Sequence, residues 1–185
     1  MELRDVLRRR RMIRTFEPRG VPDAALADLL RVAQRGPSAG HTQPLEMVVV
    51  RDAAVRRGLA EAAWSTARPD AGDIAVVFCG NLWREAERYG ARGAHKYLYI
   101  DVAYSALLFM LAATDQGLAT AFVGDFHEEH VQAVLGLPPH IVPVGIIVVG
   151  YGDEPARHRP WRPLSEIVHY DRYAPAYDWG PRHLP

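Results

Sequence analysis

Apolar positions along the chain follow two rhythms. The first is helical. Leu26, Leu29, Leu30 and Ala33 recur at i, i+3, i+4 and i+7, after Val21-Pro22-Asp23 and before Gly36-Pro37, so a helix is expected between those signals. Leu3, Val6 and Leu7 share one face of a short amphipathic helix over 2–9. Asp52 is placed to cap a helix over 53–63, and residues 128–135 form another that stops at Gly136. The longest helical stretch is 98–116, ended by Gly117. It is apolar almost all round, which predicts burial on several sides and a helical interface to a second copy. The second rhythm is the unbroken apolar run. Met47–Val50, Ile74–Cys79 and Pro143–Val149 read as strands covered on both faces, with a shorter strand at Ala119–Val123. The resulting fold class is α+β: a central mixed or antiparallel sheet of about four to five strands, flanked by helices on both faces.

Two stretches fit neither rhythm. Residues 81–97, NLWREAERYGARGAHKY, are a loose helix or a lid with Gly90 and Gly93 as flexible points. Residues 153–185 are rich in Pro, Arg, Tyr and Trp, and are either disordered or pinned on another surface. Trp161, Tyr170, Tyr173, Tyr177 and Trp179 favour an arm lying on a partner subunit.

With 185 residues, 49% hydrophobic, the expectation is one domain spanning 1–185. Lys and Arg number 22, as do Asp and Glu, so the balance favours neither nucleic acid nor an anionic membrane as partner. The basic residues are uneven, however. Arg8 to Arg11 is an unbroken run with Arg14 and Arg19 close behind, a distribution suited to a small anion. Cys79 is the single cysteine, which excludes an intrachain disulfide and allows a reducing compartment. The N-terminus lacks a signal-peptide core, and no apolar run approaches the roughly 18 residues of a membrane span, so the expected location is the cytoplasm.

Candidate chemistry is sparse. Arg10, Arg11 and Arg14 either converge on a phosphate through their planar donor forks or form a solvated basic face. Gly36–Val50, GPSAGHTQPLEMVVV, is either an ordinary helix-to-strand connection or a loop of small residues that lets backbone approach a flat ligand. No G-x-G-x-x-G and no Walker A sequence occurs. His127 and His130 sit at i, i+3 without a third metal ligand at a usual spacing, and read as part of an acidic first turn. Cys79 lies in mid-strand, Ser38 lacks a nucleophile-elbow context, and His41 and His95 stand alone. A chain without an acid–base pair, nucleophile or metal cluster fits a class in which an organic cofactor carries the reaction.

Four motifs, taken together, resemble the FMN-dependent nitroreductase superfamily, in its compact branch. RRRMIRTF (9–16) is similar to the family's opening of paired arginines, a serine, an arginine and an aromatic. GPSAGHTQP (36–44) resembles the P-S-x-x-N-x-Q-P loop that precedes a strand. RYGARG (88–93) with residues 99–126 resembles the helix, Gly-Leu turn and strand, and PVGIIVVGYG (143–152) resembles the closing strand. The resemblance implies an intertwined homodimer with FMN at two sites built from both subunits. It also implies a ping-pong reaction from NADH or NADPH, through FMN, to a small-molecule acceptor such as a nitroaromatic or quinone. By position, Arg10, Arg11, Met12 and Arg14 would meet the phosphate and ribityl chain, completed by Arg157 and Arg159. Pro37, Ser38, Ala39, His41 and Gln43 would come from the other subunit, and Phe122, Val123 and Gly124 would pass the ring. Three departures stand out: Met12 where the family has Ser, His41 where it has Asn, and Leu45 in place of a frequent aromatic. Alternatives of the same ancestry are an FMN-storing or sensing protein and a flavin-fragmenting or dehalogenating branch.

Overall fold

The structure is a computed structural model that describes residues 1–152 and 161–173. In chain order the elements are α1 (Leu3–Arg9), α2 (Asp23–Ala33), β1 (Leu45–Val50), α3 (Ala53–Glu61), β2 (Ile74–Asn81), α4 (Leu82–Arg92), α5 (Leu98–Asp115), β3 (Ala119–Val123), α6 (Glu128–Leu135), β4 (Ile141–Gly150) and α7 (Leu164–Ile167). They divide into two compact units, Met1–Glu154 and Pro155–Pro185. Within the second unit the described part is α7 with its flanks, where the His169 and Tyr173 rings lie 4.5 Å apart. The arm expected over 153–185 falls largely outside the described residues.

In the first unit the strands form one antiparallel sheet in the order β1-β2-β4-β3. Successive residues of a strand point to opposite faces, and here both faces are covered. Ile74, Val76 and Phe78 of β2, with Ile147 and Val149 of β4, join a core closed by Leu26, Leu29 and Ala33 of α2 and Val102, Ala106, Phe109 and Ala113 of α5. Ala75, Val77, Cys79, Ile146 and Val148 join a second core with Leu59 of α3 and Val131 of α6. That double burial is why the central strands carry no alternation. Phe109 meets Phe78 edge-on with ring centroids 5.4 Å apart, and burying a side chain of that size is worth about 1.5–3 kcal/mol.

The punctuation follows the chain's local chemistry. The Asp52 carboxylate accepts the N–H groups of Ala54 and Val55 at 2.8 and 2.9 Å, capping α3. Gly117 and Gly136 end α5 and α6 at φ values of 74° and 64°. Along α5, Ile100, Tyr104 and Leu107 remain exposed, at i, i+4 and i+7. The stretch Leu82–Asp115 is long and apolar enough to cross a membrane by length and composition alone, yet α5 packs as a core helix against α2 and the sheet.

Residues 82–97 are helical, and the two glycines there differ. Gly90 breaks α4 with φ 54° and ψ −141°. Gly93 is not the flexible point expected. It is buried and helical at φ −61°, at the start of a π-helical turn over Gly93–Tyr97 that leads directly into α5. A Cβ there would lie 2.6 Å from the Glu85 carbonyl oxygen, so glycine is required for close approach, not for motion. Gly93→Ala is therefore expected to lower stability in urea unfolding by about 1–3 kcal/mol, the scale of core overpacking. Gly20→Ala, where a Cβ meets nothing within 4 Å, is expected to be near neutral.

Candidate functional site

The loop between α2 and β1 has an unusual backbone. Ala39–His41 form one 3-10 turn, and Gly40, His41 and Gln43 have φ values of 52°, 60° and 51°. For His41 and Gln43 the left-handed region costs on the order of 1–3 kcal/mol each, so the loop must be held by its surroundings. It is held densely. Ala39 N–H donates to Asp101 Oδ2 of α5 at 2.8 Å. Thr42 Oγ1 donates to Glu85 Oε1 of α4 at 2.6 Å. Arg88 donates to the Gly40 carbonyl at 2.8 Å and Arg84 to the Gln43 carbonyl at 3.1 Å, while Arg84 also pairs with Glu46 of β1 at 2.7 Å. Inside the loop, Gln43 N–H donates to Ser38 Oγ at 3.1 Å. The Gln43 amide nitrogen lies 2.8 Å from His41 Nε2. Gly36 is needed beside α5, because a Cβ there would lie 3.1 Å from the Ser105 nitrogen and collide with its hydroxyl.

The two acids under the loop are buried. Glu85 is 0% exposed and Asp101 6%. Burial, and then the facing Asp101 carboxylate, push the Glu85 carboxyl above its ordinary value, against the lowering by Thr42. Burial likewise pushes the Cys79 thiol up to about 12, with the Glu46 charge adding to it. Cys79 is 0% exposed, a core residue without nucleophilic character at neutral pH.

The arginine segment lies elsewhere. Ile13 N–H donates to the Thr120 carbonyl at 2.9 Å, and Met12 pairs with Thr120 as an isolated parallel bridge on the outer edge of β3. The Met12 sulfur accepts the Phe122 N–H at 3.3 Å. Arg10, Arg11 and Arg14 therefore sit on a backbone fixed to the strand that carries Phe122, Val123 and then Gly124. The Phe122 ring lies over Gly145, where a Cβ would overlap it. Strand register separates this group from the loop. Phe122 pairs with Ile147, Ile147 with Val76, and Val76 with Val49. The loop end, Pro44, is three strand spacings across and five residues along from Phe122, roughly 14 Å and roughly 17 Å. The loop of one chain thus cannot cover the Phe122 of the same chain. A cavity of about 310 Å³ opens on the loop side, bordered by Gly36, Pro37, Ser38, Gln43, Arg84 and Asp101 among others.

Residues 7–151 match the family described as Nitroreductase family. The chain belongs to that family. A protein from Thermus thermophilus named "NADH dehydrogenase" is 30% identical, with 86% of this chain and 91% of that relative covered. A protein from Bacillus subtilis named "FMN reductase (NADPH)" is 24% identical over 88% of this chain and 71% of its own length. Among solved structures, a nitroreductase family protein from Clostridium difficile superimposes with a TM-score of 0.81 at 27% identity, covering 94% of this chain and all of that one. The family carries oxidoreductases, and the α+β architecture is the nitroreductase fold.

Within this family member the expected site residues fall into two groups. Arg10, Arg11, Met12, Arg14, Phe122, Val123 and Gly124 are together at the β3 edge. Pro37, Ser38, Ala39, His41 and Gln43 are together beyond β1. Arg157 and Arg159 lie outside the described residues. Among the described residues no group of three or more His, Cys, Asp and Glu could hold a metal ion. The residues not anticipated are the anchors Arg84, Glu85, Arg88 and Asp101. Asp101 did carry a signal, as a lone acid within the apolar run YIDVAYSALLF. Cys79 is expected to resist iodoacetamide in the native protein at pH 8 and to react fully on unfolding, as read by intact mass, in keeping with a thiol pushed up to about 12.

Proposed function

We propose that this protein is an FMN-dependent oxidoreductase, acting as a homodimer, that passes electrons from NADH or NADPH to a small acceptor such as a nitroaromatic or quinone. The observation that carries the reading is the arginine segment anchored beside the end of β3 through Ile13 and Thr120. Three cations on a fixed backbone suit a phosphate, and Gly124 leaves no side chain in the way of a flat ring. The name of the Bacillus subtilis relative favours the same cofactor. Bound FMN supplies reversible two-electron chemistry, so that nicotinamide and acceptor take turns at one face.

The chain's own residues bind, orient and shield. Arg10, Arg11 and Arg14 hold the phosphate, and Phe122 to Gly124 line one side of the ring. The loop Pro37–Gln43 comes from the second copy, since register keeps each chain's loop away from its own Phe122. The exposed face of α5, with Ile100, Tyr104 and Leu107, is the surface that brings the copies together. The chain serves as one FMN-binding domain. Neither substrate class requires a membrane or nucleic acid, and the expected location is the cytoplasm.

Purified protein is expected to be yellow, or to become so with added FMN, and to bleach anaerobically with NADH or NADPH. A colourless protein that takes up no FMN overturns the reading, and a yellow one that oxidises neither nicotinamide is a flavin-storage protein instead. Arg14→Ala is expected to weaken FMN binding by about 1.5–3 kcal/mol in a fluorescence titration, the scale of a hydrogen bond to a charged group. Leu107→Glu, which sets a charge in the apolar stripe, is expected to shift the light-scattering mass from dimer to monomer.

A further inference from the structure

Glu85 and Asp101 are buried acids on different helices, and each grips one end of the same turn. Asp101 Oδ2 takes the Ala39 N–H and Glu85 Oε1 takes the Thr42 hydroxyl, on either side of Gly40 and His41. The second oxygen of Glu85 is buried and has no hydrogen-bond partner if the group is ionised. Two ionised carboxylates facing each other out of water would repel and leave that oxygen unsatisfied. One proton placed between them removes both problems, because a protonated Glu85 donates to Asp101. We propose that Glu85 and Asp101 share a single proton, and that this acid pair is the positioning element that sets the Ala39–His41 turn for its place over the flavin. The role in the flavin site rests on the function proposed above; the clamp itself does not.

The surroundings leave the proton no competing partner. From the loop, Thr42 donates to Glu85. From α5 comes Asp101 alone. On α4 itself, Arg84 is engaged by Glu46 and the Gln43 carbonyl, and Arg88 by the Gly40 carbonyl. Tyr89 stacks edge-on against Tyr97 and abuts Gly40. From β1, Glu46 is spent on Arg84. Among the described residues, no cation acts on the Glu85 charge. The Glu85 carboxyl lies above its ordinary 4.5 in the folded protein, through burial first and the Asp101 carboxylate after it. The sign follows from linkage. The folded state binds the proton more tightly than the unfolded state does, so the clamp contributes in full below 4.5 and is lost as pH rises through the raised value. The turn is held tightest in mild acid and loosens toward alkaline pH.

Glu85→Gln separates proton sharing from mere packing. Its amide nitrogen donates to Asp101 and its oxygen accepts from Thr42, as protonated Glu85 does, but it cannot titrate. Hydrogen exchange of the Ala39 and Thr42 amides is measured on the full-length protein without flavin, between about pH 5 and pH 9. Taking the ratio of Gln variant to wild type cancels the intrinsic pH dependence of exchange. The expected result is the smallest difference at the low end of the range and a growing advantage of the Gln variant as pH rises. Glu85→Ala is expected to lose about tenfold or more in protection at the low end, as for a missing buried hydrogen bond. Thr42→Val, which deletes only the outer contact, provides the same comparison if the Ala variant fails to fold. A ratio that stays flat across the range, or a Gln variant as poorly protected as the Ala or Val variant, overturns the shared proton. FMN titration of the same proteins then reads the link to the site: affinity that falls with pH in wild type and holds in Glu85→Gln supports it, and affinity indifferent to both overturns it. Wild-type protein that binds no FMN while showing the expected exchange pattern refutes the flavin reading and leaves the clamp standing.

Discussion

Everything in the first unit is arranged around one helix that has to satisfy three surroundings at once. Along one side, α5 buries Val102, Ala106, Phe109 and Ala113 against α2 and the β2–β4 face. Near its start, Asp101 reaches the loop that precedes β1. On the remaining side, Ile100, Tyr104 and Leu107 face outward. A helix with a single apolar stripe could do only the first. An apolar helix carrying one acid near its N-terminal end can do all three, and that is the composition of residues 98–115.

The same economy governs the approach to α5. The chain leaves β2, turns at once into α4, and runs through a π-helical turn into α5, so Glu85 and Asp101 are brought to one place by two nearly continuous helices. Close contact of Gly93 with the Glu85 backbone fixes their relative position. The strained backbone of Gly40, His41 and Gln43 then has rigid points to rest on. Backbone in unfavourable regions persists where the surroundings over-determine it, and here four side chains from α4 and α5 hold four of the five residues 39–43.

The two halves of the candidate site lie at opposite edges of the sheet. Each half is ordered by its own contacts: Ile13 on Thr120 at one edge, Ala39 on Asp101 beyond the other. Neither half reaches the other within a chain. For the proposed homodimer, assembly and cofactor binding would be one problem, because α5 carries both the exposed apolar residues and the acid that anchors the loop.

How much was legible beforehand depends on the range of the interaction responsible. Helix caps such as Asp52, stops such as Gly117 and Gly136, and the unbroken apolar runs of β2 and β4 are local signals, and the chain alone determined them. The family was legible too, because its motifs occur in order along the sequence. Roles that depend on distant partners were not. Gly93 has the look of a hinge until the Glu85 carbonyl is seen against it. Glu85 lies in a charged, mixed stretch that reads as a loose helix or a lid, and only the packing of α4 onto the loop buries it. Asp101 is a lone acid in an apolar run, but its partner, the Ala39 N–H, is 62 positions away in sequence. Met12 replaces a serine, and only tertiary structure places its sulfur on the Phe122 N–H. Local chemistry wrote the elements into the sequence, whereas burial of an acid or close approach of two backbones exists only once separate elements have packed.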